Sequence, residues 1–303
     1  MAIHRQVLED ALEVALNAGY RLIDTAYAYE NEKVIGRVTN RWISQGKLKR
    51  EDLFLATKLP PSGNRPEGVG KFLKRSLENL QVDYIDLYLI HLPTGFKDVN
   101  DQIFPMTPDG QIDIDITTDI VAVWKAMEHF VDEGLVKSIG LSNCNQKQIQ
   151  RIINNARIRP ACVQIELHAY FQQKEMVNYC KENNMAVVCY SPLGSPGLGK
   201  FVSAFGQEIS LPDILGNNIV AAIAKKHNKT PAQVLLRHSM QKGLVPIPKS
   251  STPKRIWENI DVYNFKLNAE DMEKLNGLDQ GPIARILDFS VFKGVKNHPE
   301  YPF

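Results

Sequence analysis

Short apolar runs alternate with amphipathic segments along most of the chain. Each run ends in turn residues, and the segment after it carries apolar positions spaced as on one face of a helix. Runs that are apolar at nearly every position are typical of strands covered on both faces, as in a parallel sheet of β-α units. We predict seven such strands, at residues 20–24, 53–58, 85–91, 138–143, 161–168, 186–193 and 244–250.

The connecting segments contain residues that favour helix starts and helix ends. These are Pro66, Thr117 or Thr118 before a helix over 120–133, the Thr230 and Gln233 pair as a capping box, and Gly19 and Gly134 as left-handed C-terminal caps. Two longer connections, 94–116 and 194–217, are rich in Pro, Gly and Asp. We expect them to be loops over a functional face.

This order of elements predicts an α/β fold of the parallel (β/α)8 barrel (TIM) type, with one departure. The chain opens directly on a predicted helix over residues 4–18, so the strand that should precede it is missing. Seven strands would leave the first and the last unpaired at a seam, which buried backbone groups tolerate poorly. We therefore expect a single barrel domain over residues 1–303 that is N-terminally incomplete, or whose gap something else fills.

Composition narrows the class of protein further. The chain is 44% hydrophobic and 23% charged, as soluble globular proteins are. Its 36 basic and 34 acidic residues form no basic arm, so we expect neither nucleic acid nor a membrane as partner. The four cysteines form no CxxC pair and are predicted to be buried thiols, with no metal site. Without a signal peptide or a membrane span, the predicted location is the cytoplasm.

Four polar residues stand where barrel enzymes place their chemistry. Asp24, Lys58 and His91 end three successive predicted strands, and Tyr29 follows the first of them closely. Each alone could be structural. Together, the ammonium of Lys58 would lower the pKa of the Tyr29 phenol, while Asp24 keeps Lys58 charged. A neutral His91 would orient a carbonyl group, which predicts Tyr29 as the proton donor in a carbonyl reduction.

Several segments in order carry a resemblance to a known family. They are GYRLIDTA at 19–26, YENE at 29–32, KL at 58–59, DYIDLYLIH at 83–91, GLVKSIGLSN at 134–143, QIELH at 164–168, YSPLGSP at 190–196, IPKS at 247–250 and the final YPF. Over essentially its whole length the chain resembles the aldo-keto reductase family. The resemblance implies the catalytic group Tyr29, Lys58, His91 and Asp24, and a nicotinamide cofactor bound across the strand ends.

The resemblance also implies which residues hold the nicotinamide half of that cofactor. Ser142, Asn143 and Gln164 would hold the carboxamide, and Tyr190 would stack on the ring. Taken alone, Tyr190 could equally be a core aromatic. Further implied contacts are Ser191, Leu193 and Ser195.

A second group of residues surrounds Pro253, which looks like the first residue of a helix. Lys249, Ser250 and Arg255 lie around this helix start, where cations oppose the helix dipole unless an anion sits between them. The resemblance implies that this anion is an adenosine 2'-phosphate, with Glu258 and Asn259 near the adenine. The implied cofactor is therefore NADPH, and the alternative is a solvated charged turn.

Departures from the family pattern leave the substrate open. Leu92 stands where many relatives have an aromatic residue, and Ala169 replaces a usual proline. The prediction is a monomer that reduces aldehydes, ketones or ketosteroid-like compounds with NADPH. The alternative is an NADPH-binding barrel with little or no catalysis and a regulatory or structural role, motivated by the missing strand. A metal-dependent hydrolase has little support, because the seven histidines form no close ligand pair.

Overall fold

Seven parallel strands form one sheet in a computed structural model that describes residues 5–203 and 208–303. The strands are β1 (Leu22–Asp24), β2 (Phe54–Leu59), β3 (Ile85–Ile90), β4 (Val136–Ser142), β5 (Cys162–Glu166), β6 (Ala186–Tyr190) and β7 (Val245–Pro246). They are paired in sequence order from β1 to β7, which is the topology of a (β/α) barrel. All seven predicted strands are present, but their bounds differ from the prediction. Strand β4 begins two residues earlier and β2 ends one residue later, whereas β1, β5, β6 and above all β7, with two residues of the predicted 244–250, are shorter.

Helices connect the strands and cover the outer face of the sheet. In the described residues they are α1 (Arg5–Asn17), α2 (Glu32–Ser44), α3 (Pro66–Leu80), α4 (Ile120–Asp132), α5 (Gln146–Asn155), α6 (Lys174–Glu182), α7 (Leu198–Ser203), α8 (Asn218–His227), α9 (Pro231–Gln241), α10 (Pro253–Ile260) and α11 (Ala269–Asn276). The first helix was predicted from residue 4, and His4 lies outside the described residues. None of the described helices is long and apolar enough to cross a membrane.

Most of the predicted helix ends are confirmed, and one is wrong. Thr230 and Gln233 form the expected capping box at the start of α9. Helix α4 is capped by Asp119 rather than by Thr117 or Thr118: its carboxylate accepts hydrogen bonds from the backbone N–H groups of residues 121 and 122. Both threonine hydroxyls instead donate to Asp115. A carboxylate at this end also interacts favourably with the helix dipole.

The two long connections are more ordered than loops. Residues 94–116 contain two isolated antiparallel bridges, Phe96 with Ile114 and Met106 with Ile112. Residues 194–217 contain the short helix α7, which the sequence did not predict, and residues 204–207 of this connection lie outside the described part of the chain. Both connections follow carboxyl ends of strands, so they lie at the same end of the sheet.

The sheet has two edges, β1 and β7. Among the described residues neither strand pairs with a second neighbour. The outer layer nevertheless closes over this seam, because α1 packs against α10 and the Tyr20 hydroxyl donates a 3.1 Å hydrogen bond to the carbonyl of Ile256. The arrangement therefore keeps the barrel-like order of helices around a sheet of seven strands.

Candidate active site

Alternation along each strand determines which side chains point into the barrel. Inside the curled sheet, a small apolar cluster is formed by Ala56, Leu87, Leu89, Cys162 and Val188. Successive side chains on a strand point to opposite faces, so residues two positions further along point inward as well. Those next inward positions are Lys58, His91, Gln164 and Tyr190. The barrel interior thus changes from apolar to polar at the carboxyl ends of the strands.

Lys58 is the most buried member of this polar layer. Its side chain is 0% exposed, and its Nζ donates to Asp24 Oδ1 at 2.5 Å and to the backbone oxygen of Thr25 at 2.7 Å. Burial alone would lower the pKa of Lys58, but the charge of Asp24 and the neighbouring Tyr29 outweigh it and raise that pKa above its ordinary value. Lys58 is therefore an ammonium at neutral pH.

Tyr29 reaches the same place from a 3-10 turn, Tyr27–Tyr29, that follows β1. Its ring centroid lies 5.2 Å from Lys58 Nζ and 5.5 Å from the ring centroid of His91, with the two rings at 82°. The residues on either side of the turn are joined by a hydrogen bond of 2.5 Å, which the Thr25 hydroxyl donates to Asn31 Oδ1. The four predicted catalytic side chains are therefore close together.

The ionisation of Tyr29 differs from the sequence prediction. Burial raises the pKa of its phenol, and although the Lys58 ammonium lowers it, the net shift is upward. The prediction that Lys58 brings this pKa below its usual value is thus wrong in net direction, because the cost of burying a phenolate is larger than the attraction to one ammonium. The phenol is protonated at neutral pH, as a proton donor must be.

His91 is neutral, as predicted. Burial and, secondarily, the charge of Lys58 lower its pKa to about 3. Its Nδ1 atom is buried and has no hydrogen-bond partner among the described residues. A neutral imidazole beside a phenol can donate one N–H to an oxygen atom without adding a second positive charge to the pocket.

The predicted amide residues join this group directly. Gln164 Nε2 donates to Asp24 Oδ2 at 2.7 Å, so the carboxylate is shared between Gln164 and Lys58. Asn143 Nδ2 donates to the backbone oxygen of His91 at 2.9 Å and to the hydroxyl of Ser142 at 3.0 Å. These side chains hold the ends of neighbouring strands together around the predicted catalytic group.

Tyr190 and the residues that follow it form the next side of the site. The Tyr190 hydroxyl donates to Asn143 Oδ1 at 2.6 Å. After β6 the chain turns sharply, with positive φ at Ser191 and Ser195, whose hydroxyls are 2.6 Å apart. Leu193 instead packs against an apolar cluster under this turn. Tyr190 thus lies in the polar layer, and the partly buried Leu193 packs beside it.

The second predicted group lies at the junction of β7 and α10. Helix α10 begins at Pro253, as predicted, and no side chain caps its first N–H groups. Arg255 and Lys249 are exposed, and neither has an acidic partner in the part of the chain that the structure describes. Ser250 Oγ accepts a 3.1 Å bond from the backbone N–H of residue 252.

The two residues predicted to lie near the adenine are also on α10. Glu258 lies 3.8 Å from Lys254, one turn back along the helix. Asn259 is buried. Within the described part of the chain, neither side chain forms a hydrogen bond with residues 249–252.

One polar residue of the inward layer was missed by the sequence prediction. Glu166 ends β5, two positions beyond Gln164, and only 1% of its surface is exposed. Period-two alternation along QIELH already places Glu166 on the inward face. One of its partners, His168, is local, but the other two are backbone groups 120 and 121 residues further along the chain, which no local pattern could indicate.

Comparisons with known proteins agree with this geometry. Residues 2–280 match the model of the Aldo/keto reductase family. The chain is 42% identical over 299 residues to dihydrodiol dehydrogenase 3 of Bos taurus, covering 97% of this chain and 89% of that protein. It is also 42% identical over 296 residues to prostaglandin-E(2) 9-reductase of Oryctolagus cuniculus, covering 97% and 88%.

A solved structure extends the likeness to three dimensions. The aldose reductase from Schistosoma japonicum superposes with a TM-score of 0.88 at 41% identity, covering 98% of this chain and 90% of that one. The described residues hold no cluster of three His, Cys, Asp or Glu side chains able to bind a metal. The chain therefore belongs to the Aldo/keto reductase family and is an oxidoreductase that reduces carbonyl groups with a nicotinamide cofactor.

Proposed function

We propose that the protein reduces aldehydes or ketones with NADPH and that Tyr29 delivers the proton. The observation that supports this is the contact between a protonated phenol, a buried ammonium and a neutral imidazole at the carboxyl ends of β1, β2 and β3. When bound, the reduced nicotinamide supplies the hydride that the carbonyl carbon receives. The residues of this chain then have to orient the carbonyl and to protonate its oxygen.

His91 and Tyr29 divide that work. The neutral imidazole of His91 can donate a hydrogen bond to the carbonyl oxygen and so fix its position. The Tyr29 phenol gives its proton to the same oxygen as negative charge develops there. Proton transfer leaves a phenolate, and the ammonium of Lys58, 5.2 Å from the ring centroid, stabilises that new charge. In this proposal Lys58 stabilises the Tyr29 phenolate that forms once the proton has been transferred.

Substitution of Tyr29 by Phe tests this assignment, and Tyr27 offers a matched control on the same turn. Tyr29→Phe removes the proton donor, and general acids contribute about 10²- to 10⁴-fold to rate. We expect a loss of that size in NADPH oxidation with a reactive aldehyde, with NADPH binding by fluorescence quenching unchanged. Tyr27→Phe, whose ring packs on Phe72, should keep near-normal turnover. Normal turnover in Tyr29→Phe would contradict the proposal.

NADPH is proposed over NADH because of the start of α10. Uncapped N–H groups, the positive helix end and the unpaired cations Lys249 and Arg255 together suit a phosphate group. Lys249, Ser250 and Arg255 would hold it, with Glu258 and Asn259 beside the adenine. Ser142, Asn143, Gln164 and Tyr190 would hold the nicotinamide end.

The ratio of the two cofactor affinities tests this choice. Arg255→Gln should raise the Kd for NADPH by about 10- to 100-fold and leave that for NADH within about twofold, since a charged hydrogen bond contributes roughly 1.5–3 kcal/mol. Lys254→Gln is the control, because this neighbouring cation already pairs with Glu258. Equal weakening of both cofactors in Arg255→Gln would refute the phosphate site.

The same assays decide the alternative of a barrel that binds NADPH without catalysis. That alternative predicts fluorescence quenching by NADPH with no turnover of any carbonyl compound by the unmodified protein. The monomeric state and the cytoplasmic location stay predictions from the sequence.

A further inference from the structure

Residues 285–303, here called the C-terminal segment, connect the two long connections at the carboxyl end of the sheet. On one side Ile286 packs with Leu198 and Val202 of α7. On the other side the segment packs with residues 94–116 in a cluster of Phe96, Ile112, Phe292 and Val295. One stretch of chain therefore touches both walls around the catalytic layer.

A single buried carboxylate joins this segment to the barrel. Glu166 Oε1 accepts a 2.7 Å hydrogen bond from the backbone N–H of Ile286, and Oε2 accepts a 2.8 Å bond from that of Leu287. His168 Nε2 lies 3.0 Å from Oε1, and both side chains are 0% exposed. Both oxygens of Glu166 are thus occupied by donors.

The chemistry of this contact requires a carboxylate. Two consecutive backbone N–H groups point at two different oxygens, so an acceptor is needed at both positions. Glutamine at residue 166 would present an NH2 group to one of them and leave two donors facing each other. An alanine would leave both N–H groups of Ile286 and Leu287 without a partner in a buried place.

The residue before this contact links it to the far end of the segment. The Arg285 guanidinium lies 3.7 Å from the ring centroid of Phe303 and 4.6 Å from that of Phe171, as a cation stacked on aromatic faces. Fixing residues 286 and 287 therefore also fixes Arg285 and, through it, Phe303. The anchor and the end of the segment are thus connected through one side chain.

Glu166 also lies in the same layer as the catalytic group. It pairs in register with Tyr190 on β6 and follows Gln164, which contacts Asp24, by two residues. We propose that Glu166 is a positioning residue that anchors the C-terminal segment, and with it both long connections, around the substrate mouth. That a substrate enters between these connections rests on the proposed carbonyl reduction. The attachment of the C-terminal segment to Glu166 does not depend on it.

Glu166→Gln tests the anchor, with Glu300→Gln as the matched control. Glu300 lies in the same segment and also contacts helix α5, through Gln148 and Arg151, but the side chain of its partner Arg151 is 44% exposed. We expect Glu166→Gln to speed amide hydrogen exchange at residues 286–287 by about 10- to 100-fold, from the loss of a hydrogen bond to a charged group. Glu300→Gln should leave exchange there within about threefold.

Steady-state kinetics then test the role at the mouth. In Glu166→Gln the KM for a bulky ketone should rise by about threefold or more, because the ketone binds molecules whose segment is in place, while kcat for a small aldehyde and the Kd for NADPH stay within about twofold. Glu166→Asp keeps the charge, so its exchange rate at residues 286–287 and its KM should lie between those of the unmodified protein and Glu166→Gln. This variant replaces Glu166→Gln in both measurements if the glutamine variant fails to fold.

Three outcomes separate the claims. Exchange at 286–287 that is the same in Glu166→Gln and Glu300→Gln would overturn the anchor. Faster exchange without any change in KM would overturn the link to the substrate mouth. An unmodified protein that turns over no carbonyl compound would refute the proposed function, and the exchange measurement would still decide the anchor.

Discussion

Replacing Lys58 by Met removes the buried ammonium and keeps most of the aliphatic volume of the side chain. Asp24 is then left with one strong partner in the described structure, Gln164 Nε2 at 2.7 Å. Removing one partner of a buried ion pair typically costs 3–5 kcal/mol, because the remaining charge is uncompensated. With the Lys58 side chain 0% exposed, we expect a loss within that range in the free energy of unfolding.

A second substitution shows whether the loss in free energy of unfolding comes from the uncompensated charge of Asp24. Asp24→Asn alone should also destabilise the protein, since it leaves the Lys58 ammonium with the Thr25 carbonyl as its main partner. The double variant contains neither charge, so we expect its loss to be about 2–3 kcal/mol smaller than the sum of the two single losses. Urea unfolding followed by circular dichroism measures all four proteins without reference to activity.

An exposed pair of similar geometry is the control for this cycle. Lys274 Nζ lies 2.6 Å from Glu270 Oε1, and both side chains are more than half exposed. Its coupling energy should be below about 1 kcal/mol, since solvent screens the pair. Losses at Asp24 and Lys58 that add within 0.5 kcal/mol would refute the reasoning, because they would show that burial does not couple the two charges.

Two further predictions follow from the pKa shifts. The folded state holds the pKa of His91 at about 3, below the 6.5 of an unfolded chain, so its contribution to stability is lost as pH falls below about 6.5. The free energy of unfolding relative to His91→Gln should therefore fall by about 2 kcal/mol between pH 7.5 and pH 5, and a pH-independent difference would contradict this. Burial raises the pKa of Cys162 and of Cys189 to about 12 and that of Cys180 to about 11, and it also raises that of Cys144. A thiol reagent at pH 8 should thus label none of the four cysteines in the folded protein and all of them in denaturant, whereas rapid labelling of the folded protein would show that these thiols are accessible.

The fold was largely predictable because its signals are local. Doubly covered strands need apolar residues at nearly every position, and the runs at β2, β3 and β6 show this directly. The capping box at Thr230 is equally local. The error at α4 arose because three consecutive residues, Thr117, Thr118 and Asp119, can all cap a helix, and the path of the backbone decides between them.

The sequence was enough to predict which residues form the candidate site, but not the pKa shift of Tyr29. Ends of neighbouring parallel strands meet at one edge, so Asp24, Lys58 and His91 could be grouped from the sequence. The net direction of the Tyr29 pKa shift could not, since it depends on how deeply a fold buries a side chain that stands outside the strands. Glu166 could be placed inward but not given a role, because its backbone partners come from a distant part of the chain.

A change of strand register would move the inward polar side chains out of the barrel. Each reactive side chain at a strand end stands two positions beyond an apolar residue on the same face, as Lys58 does beyond Ala56. A strand that slipped by one residue would turn both to the outside together. Turnover per molecule is consequently a sensitive gauge of correct strand alignment in a refolded preparation.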